Sequence, residues 1–140
     1  MTLHVELVVP DREIWSGSAR MVIAKTHDGD IGVLQSHPPV LGLLAEGSLV
    51  RILDPDADDS GEAAADGENE LVAAVSGGFF SVADDRVSIL ARDAELGGEV
   101  DKSAARAELE AASADAPAGG EESAEVRYAR ARLRAAGEQA

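Results

Sequence analysis

Most of the proton-transfer and charge chemistry open to this 140-residue chain lies in three histidines, 27 acidic and 12 basic side chains, with no cysteine. Thiolate catalysis, disulfide staples and Cys-type zinc sites are therefore excluded. His4, His27 and His37 stand far apart, without the close spacing that brings two imidazoles to one metal ion. The chain has no Gly-rich loop ending in Gly-Lys-Ser/Thr to cradle phosphates, no G-x-G-x-x-G, no G-x-S-x-G elbow and no H-E-x-x-H. Carboxylates are plentiful, but a general acid or base acts only where partners position it. No catalytic residue, metal site or cofactor is expected. His37, followed by Pro38-Pro39, sits on a stiff loop that either presents a side chain to a partner or forms a structural corner.

The arginines carry a clearer pattern. Four of the 12 basic residues fall between Arg127 and Arg134, and Arg127, Arg130 and Arg134 share one helical stripe. In a chain of formal charge −15 this is a local reversal of sign. Two readings stand: a solvated face paired with Glu121, Glu122 and Glu125, or a surface for an acidic partner. Nucleic acid is not expected as a partner, because its phosphates demand a positive field and the stripe has no interleaved aromatics. Trp15, the only tryptophan, reads as packing on a sheet face rather than as an interface anchor.

The elements that position these residues change character along the chain. Leu3, Val5, Leu7 and Val9 alternate with the period of two of a half-buried strand. Further short runs follow at Ala19–Lys25, Ile31–Leu34, Leu49–Leu53, Leu71–Val75, Phe80–Ala83 and Val87–Leu90. Turn residues bound them, among them Asp28-Gly29-Asp30, Pro38-Pro39 and Gly77-Gly78. Many short strands without intervening helical patterns predict an antiparallel β-sandwich over residues 1–96. Between Asp54 and Glu70 there are eight acids and no bases, so 54–69 reads as a flexible acidic insertion.

Residues 97–140 are rich in Ala, Glu and Arg and predict a helical hairpin broken at Ala116–Gly120. Ala105, Leu109 and Ala112 form one seam, and Val126, Ala129, Leu133 and Ala136 the other. Of the chain's apolar residues 26 are alanines, which bury little area each, so the hairpin is expected to dock weakly and to be able to detach. No apolar run approaches a membrane span, and the N-terminus lacks the pattern of a signal peptide, so a cytoplasmic chain with no direct membrane insertion is expected.

Three stretches taken together carry a resemblance: Pro10-Asp11-Arg12-Glu13-Ile14-Trp15-Ser16-Gly17, Asp28-Gly29-Asp30-Ile31-Gly32-Val33-Leu34 and Val75-Ser76-Gly77-Gly78-Phe79. With the Ala-rich hairpin behind them, the chain resembles the epsilon subunit of bacterial F-type ATP synthase over essentially its whole length. The resemblance implies a sandwich of about ten strands followed by two helices. It implies a non-catalytic rotor subunit of the central stalk that binds the gamma subunit and the c-ring, peripheral on the cytoplasmic face of the cell membrane, coupling rotation to ATP synthesis. Its hairpin would lie on the sandwich or extend along gamma to the alpha and beta subunits, restraining ATP hydrolysis. Asp28, Gly29, Asp30 and His37 would then lie on the c-ring side, and Arg127, Arg130 and Arg134 would meet acidic residues of beta.

The chain departs from the family at three places. Ser36-His37-Pro38-Pro39 replaces the usual Gly-His-Ala-Pro, and the 54–69 insertion is longer and more acidic than the usual hairpin. The nucleotide motif of ATP-binding members, an aliphatic residue, Asp, two variable residues and Arg-Ala, is broken. Val100-Asp101-Lys102-Ser103 precedes Ala104-Ala105, and Arg106-Ala107 comes two residues late. Two residues rotate a helical side chain by about 200°, so of the nucleotide candidates Asp101 and Arg106 the first reads instead as a helix N-cap. The alternatives are a stand-alone acidic adaptor and a small enzyme built on dispersed carboxylates and His37.

Overall fold

Leu3, Val5 and Leu7 turn one face of the first strand inward and are almost completely buried. Around them, the computed structural model describes residues 3–55, 70–114 and 123–137. Ten strands run in order: β1 Leu3–Val9, β2 Arg12–Ala19, β3 Met21–Thr26, β4 Gly29–Leu34, β5 Val40–Leu43, β6 Ser48–Leu53, β7 Glu70–Ser76, β8 Phe79–Ala83, β9 Arg86–Leu90 and β10 Asp93–Leu96. They form two five-stranded sheets, β2-β1-β9-β8-β5 and β10-β7-β6-β3-β4. Inward residues of both, including Val22, Val50, Ile52, Val75, Phe80, Val82 and Ile89, make one core. The β-sandwich read from the alternation is thus the architecture observed.

The pairings among described strands are antiparallel except one. β1 pairs with β9 in parallel, from His4 opposite Arg86 to Val8 opposite Leu90. A register shift between Leu7 and Val8 interrupts the alternation of β1, and Val9 is only partly buried. The run expected at Ala19–Lys25 is β3 begun two residues early: Ala19 closes β2, and Arg20 stands at the link with its guanidinium on buried Asp54 at 2.5 Å. Strands β2, β5 and β10 have no counterpart among the runs read from the sequence. Each lies at a sheet edge, where one-sided burial does not require alternation. Trp15, on edge strand β2, packs partly buried against the core. Of the 54–69 insertion, residues 56–69 lie outside the described residues, as do most of the residues joining the two helices.

A 3-10 turn at Gly97–Glu99 leads into α1 (Lys102–Ala114), and α2 (Ala124–Ala135) follows. Ser123 caps α2, its hydroxyl accepting from the Val126 amide at 3.2 Å. α2 packs on β6 and β7 with α1 against it, giving a third layer on the second sheet. Val126, Ala129 and Leu133 of the predicted seam are buried, together with Ala74 of β7 beneath them. In α1 only Ala105 is buried, while Leu109 and Ala112 are half-buried. The outer helix touches mainly its partner helix and needs less of an apolar face.

Two glycines set how closely the hairpin lies. A Cβ on Gly47, in the β5–β6 connection, would overlap the backbone of Arg127; one on Gly97 would overlap the carbonyl of Ala135. The two ends of α2 therefore rest on bare backbone of the sandwich.

Candidate functional site

The residues expected to face the c-ring are separated by the sheet. Asp28 closes the β3–β4 turn, where Thr26 Oγ1 donates to the Gly29 carbonyl at 2.8 Å and accepts from the Asp28 amide at 3.1 Å. His37 lies beyond the other end of β4, with its amide donating to the Leu34 carbonyl at 3.2 Å. Six residues of β4, roughly 17 Å of strand, stand between them. Asp28, Gly29 and Asp30 stay together at one end of β4, and His37 lies at the other, beside the β8–β9 end. There the Ser36 amide donates to Asp85 Oδ1 at 2.6 Å, and His37 Nδ1 donates to the Pro38 carbonyl at 2.7 Å.

The arginine stripe is gathered. Arg127, Arg130 and Arg134 face the sandwich across a cleft of about 560 Å³ whose other wall carries Lys25, His27 and Arg51. Asp30 and Glu46 are its carboxylates. Glu46 is held by Arg92 at 2.5 Å, and Arg51 pairs with Glu70 at 3.1 Å. His27 thus belongs to this cleft, while His4 lies beside Glu6 at 3.4 Å on exposed surface.

The sequence did not disclose Arg132. It is the one buried arginine among the described residues, 9% exposed, and it joins three elements. Its Nε donates to Glu95 of β10 at 2.9 Å and its Nη1 to Glu108 of α1, with Tyr128 5.8 Å from the guanidinium carbon. Burial works against the Arg132 charge, but the hydrogen bond to Glu95 and the charges of Glu95 and Glu108 outweigh it and raise its pKa. Burial likewise raises the Tyr128 phenol well above its ordinary value, helped by Asp93 and Glu95, and its hydroxyl donates to Asp93. Asp93, Glu95, Glu108, Glu125, Tyr128 and Arg132 line a second cleft of about 590 Å³ on this side of α2. Its four carboxylates against one guanidinium disfavour an anion. At the start of α1, Asp101 Oδ1 accepts from the Ala104 amide at 3.0 Å, an N-cap contact, and Arg106 is on the exposed side of the helix.

The outer face of the first sheet is apolar where the second sheet's is covered. Leu43, Phe79 and Leu90 stand opposite one another across β5, β8 and β9, and Leu41 is on the same side of β5. Their exposures run from 40% for Leu90 to 72% for Leu41, too high for a core and contiguous enough for a contact surface. An edge strand of only four residues, β5 gave little alternation by which this patch could have been found in the sequence.

Comparison with known proteins gives one family. The model for the ATP synthase delta/epsilon chain β-sandwich domain matches residues 2–97. The ATP synthase epsilon chain of Thermobifida fusca is 53% identical over 96% of this chain and 91% of its own length. That of Streptomyces avermitilis is 47% identical over 89% and 91%. In fold, the chain is similar to one in the mitochondrial ATP synthase of Euglena gracilis, with a TM-score of 0.63 and 22% identity, covering 94% of this chain and 75% of that one. A chain in the structure of the Tetrahymena thermophila mitochondrial ATP synthase central stalk and c-ring gives a TM-score of 0.50 at 17% identity, covering 95% of this chain and 89% of that one. With the family's β-sandwich model matching residues 2–97 and this identity over nearly its full length, the chain belongs to the ATP synthase epsilon chain family.

Proposed function

We propose that this chain is a non-catalytic rotor subunit of a proton-translocating ATP synthase, fixed to gamma and the c-ring through its sandwich and regulating hydrolysis through its hairpin. The observation that carries this is the asymmetry of the two outer faces. The second sheet is covered by its own helices, whereas the first presents Leu41, Leu43, Phe79 and Leu90 to solvent. A row of this kind suits a permanent partner, because burying it removes apolar area from water at roughly 25 cal/mol per Å². We assign it to gamma.

The Asp28–Asp30 turn, fixed by Thr26, is the c-ring contact in this reading, and His37, at the other end of β4, is not. The hairpin is the mobile part. Its apolar seam is mostly alanine, and its arginine stripe meets acidic residues of beta only once α2 has left the sandwich. No helix among the described residues is long and apolar enough to cross a membrane. A peripheral place on the cytoplasmic face of the membrane, held there by the complex, fits that.

The test is co-purification with recombinant gamma and c-ring, comparing the full chain, a chain ending at Leu96 and the full chain carrying Leu43→Asp with Phe79→Ser. Retention of the first two and loss of the third is expected. Loss of the truncated chain with retention of the double variant would move the contact to the hairpin and overturn the assignment. In the assembled complex, a cysteine at Asp30 should cross-link to the c-ring and one at His37 should not.

A further inference from the structure

Five connections among the described strands pass from one sheet to the other, and three of them stand at the end of the sandwich that carries the Asp28–Asp30 turn: β5–β6, β7–β8 and β9–β10. Arg92 touches all three. It belongs to the β9–β10 connection, its Nη2 donates to Glu46 Oε1 in the β5–β6 connection at 2.5 Å, and its guanidinium lies against Gly77 of the β7–β8 turn, where a Cβ would overlap it. Backbone contacts bind the same segments. The Leu44 amide donates to the Gly78 carbonyl at 2.9 Å, and Gly78 leaves room for the carbonyl of Leu90.

What lies on either side gives this junction a use. On the first sheet, Leu43, Phe79 and Leu90 of the apolar row are the residues at which the chain enters or leaves those connections. On the second, the Ala45 amide donates to the Lys25 carbonyl at 2.9 Å and the His27 amide to the Leu43 carbonyl at 3.4 Å. The end of β5 is thereby tied to the end of β3, and so to the Asp28–Asp30 turn. The inner faces of two sheets meet through side chains, so the connections are the covalent ties that fix one sheet against the other. An ion pair with Arg92 as exposed as it is adds little to global stability, and its effect is local. A planar guanidinium with fixed donors sets a position more sharply than a flexible ammonium. We propose that Arg92 is a positioning residue, which holds the apolar row of the first sheet and the Asp28–Asp30 turn of the second in fixed relation, so that a load received at one is delivered at the other. The transfer of load rests on the reading of those two places as the gamma and c-ring contacts.

The experiment compares Arg92→Gln, Arg92→Lys and Glu46→Gln, with Arg12→Gln as control, since Arg12 is exposed at the same end but begins β2 within the first sheet. In the full chain, amide exchange at residues 26–30 and 44–47 should quicken about threefold or more for Arg92→Gln and Glu46→Gln, while the thermal midpoint stays near that of the parent. Arg92→Lys should quicken it less, and Arg12→Gln should leave it unchanged. Glu46→Gln added to Arg92→Gln should bring no further gain beyond the single change, because the two side chains act as a pair. In the complex with gamma and c-ring, a chain carrying Asp30→Cys should cross-link to the c-ring severalfold less when Arg92→Gln is added, with retention on gamma unchanged. Unchanged exchange at 26–30 in Arg92→Gln, equal quickening at the far end at 34–37, equal quickening by Arg12→Gln, or loss of gamma in step with the cross-link would each overturn the proposal. No cross-link in the parent would overturn the c-ring reading instead, and exchange at 26–30 would still decide whether Arg92 fixes the turn.

Discussion

Arg132 acts as a latch because it is buried and doubly paired at once. A cation withdrawn from water is tolerated where carboxylates replace its hydration, and Glu95 and Glu108 do so from a strand and from the neighbouring helix. Arg132→Met keeps the length and removes the charge. It should destabilise the docked hairpin by about 1–3 kcal/mol, towards the lower end because Glu108 is largely exposed, read as faster amide exchange in α2. Tyr128 provides a pH readout of the same contact. Its pKa is raised in the docked state by burial and by Asp93 and Glu95, so docking stability is full below the ordinary phenol value near 10 and falls as pH rises above it. As the only tyrosine, it can be followed alone by tyrosinate absorbance, and Tyr128→Phe should remove the alkaline loss. Periodicity makes Leu133 legible as a buried residue. It says nothing of Arg132, one position earlier, whose partners come from distant elements.

At the scale of elements, docking of α2 is set by bare backbone more than by apolar area. Gly97 has no side chain where the Ala135 carbonyl arrives, and its φ does not lie in the left-handed region, so a methyl group there meets the helix without straining its own backbone. Gly97→Ala should therefore push the hairpin off the sheet, at a cost of about 1–3 kcal/mol, while thermal unfolding of the sandwich stays near that of the parent. An unchanged exchange pattern in α2 would refute this. Gly47 makes an equally close contact but also holds a positive φ, so its replacement would disturb the turn as well. Strands with strict alternation, such as β6 and β9, were legible in the sequence because one face is buried and the other is not. Strand β10, with two acids in four residues, was not: its Asp93 and Glu95 point to the hairpin, which local pattern cannot foresee.

Over the whole molecule, the three layers divide labour between a bare face and a covered one. In the proposed assembly the bare face stays on gamma, and exchange of the covering layer alters regulation without releasing the subunit. Replacing Arg127, Arg130 and Arg134 with Ala should leave incorporation into the complex intact and raise its ATP hydrolysis. Unchanged hydrolysis with normal incorporation would count against a role for the stripe at beta. The family and the fold were legible because motif order, alternation and helix composition extend along the chain. The grouping of Lys25, His27 and Arg51 with the stripe was not, since it arises only when the helix folds back over β3 and β6.

The parallel pairing of β1 with β9 also bears on how the chain leaves the ribosome. His4 meets Arg86, so the first strand waits for a partner about 80 residues downstream, several seconds at the ~5–20 residues per second of translation. During that interval β2 satisfies one edge of β1 while the other edge, beside the apolar Leu3, Val5 and Leu7, has no native neighbour. A nascent chain stalled before β9 is therefore a species prone to aggregate, and delivery of Arg86–Leu90 marks the moment at which the first sheet can close.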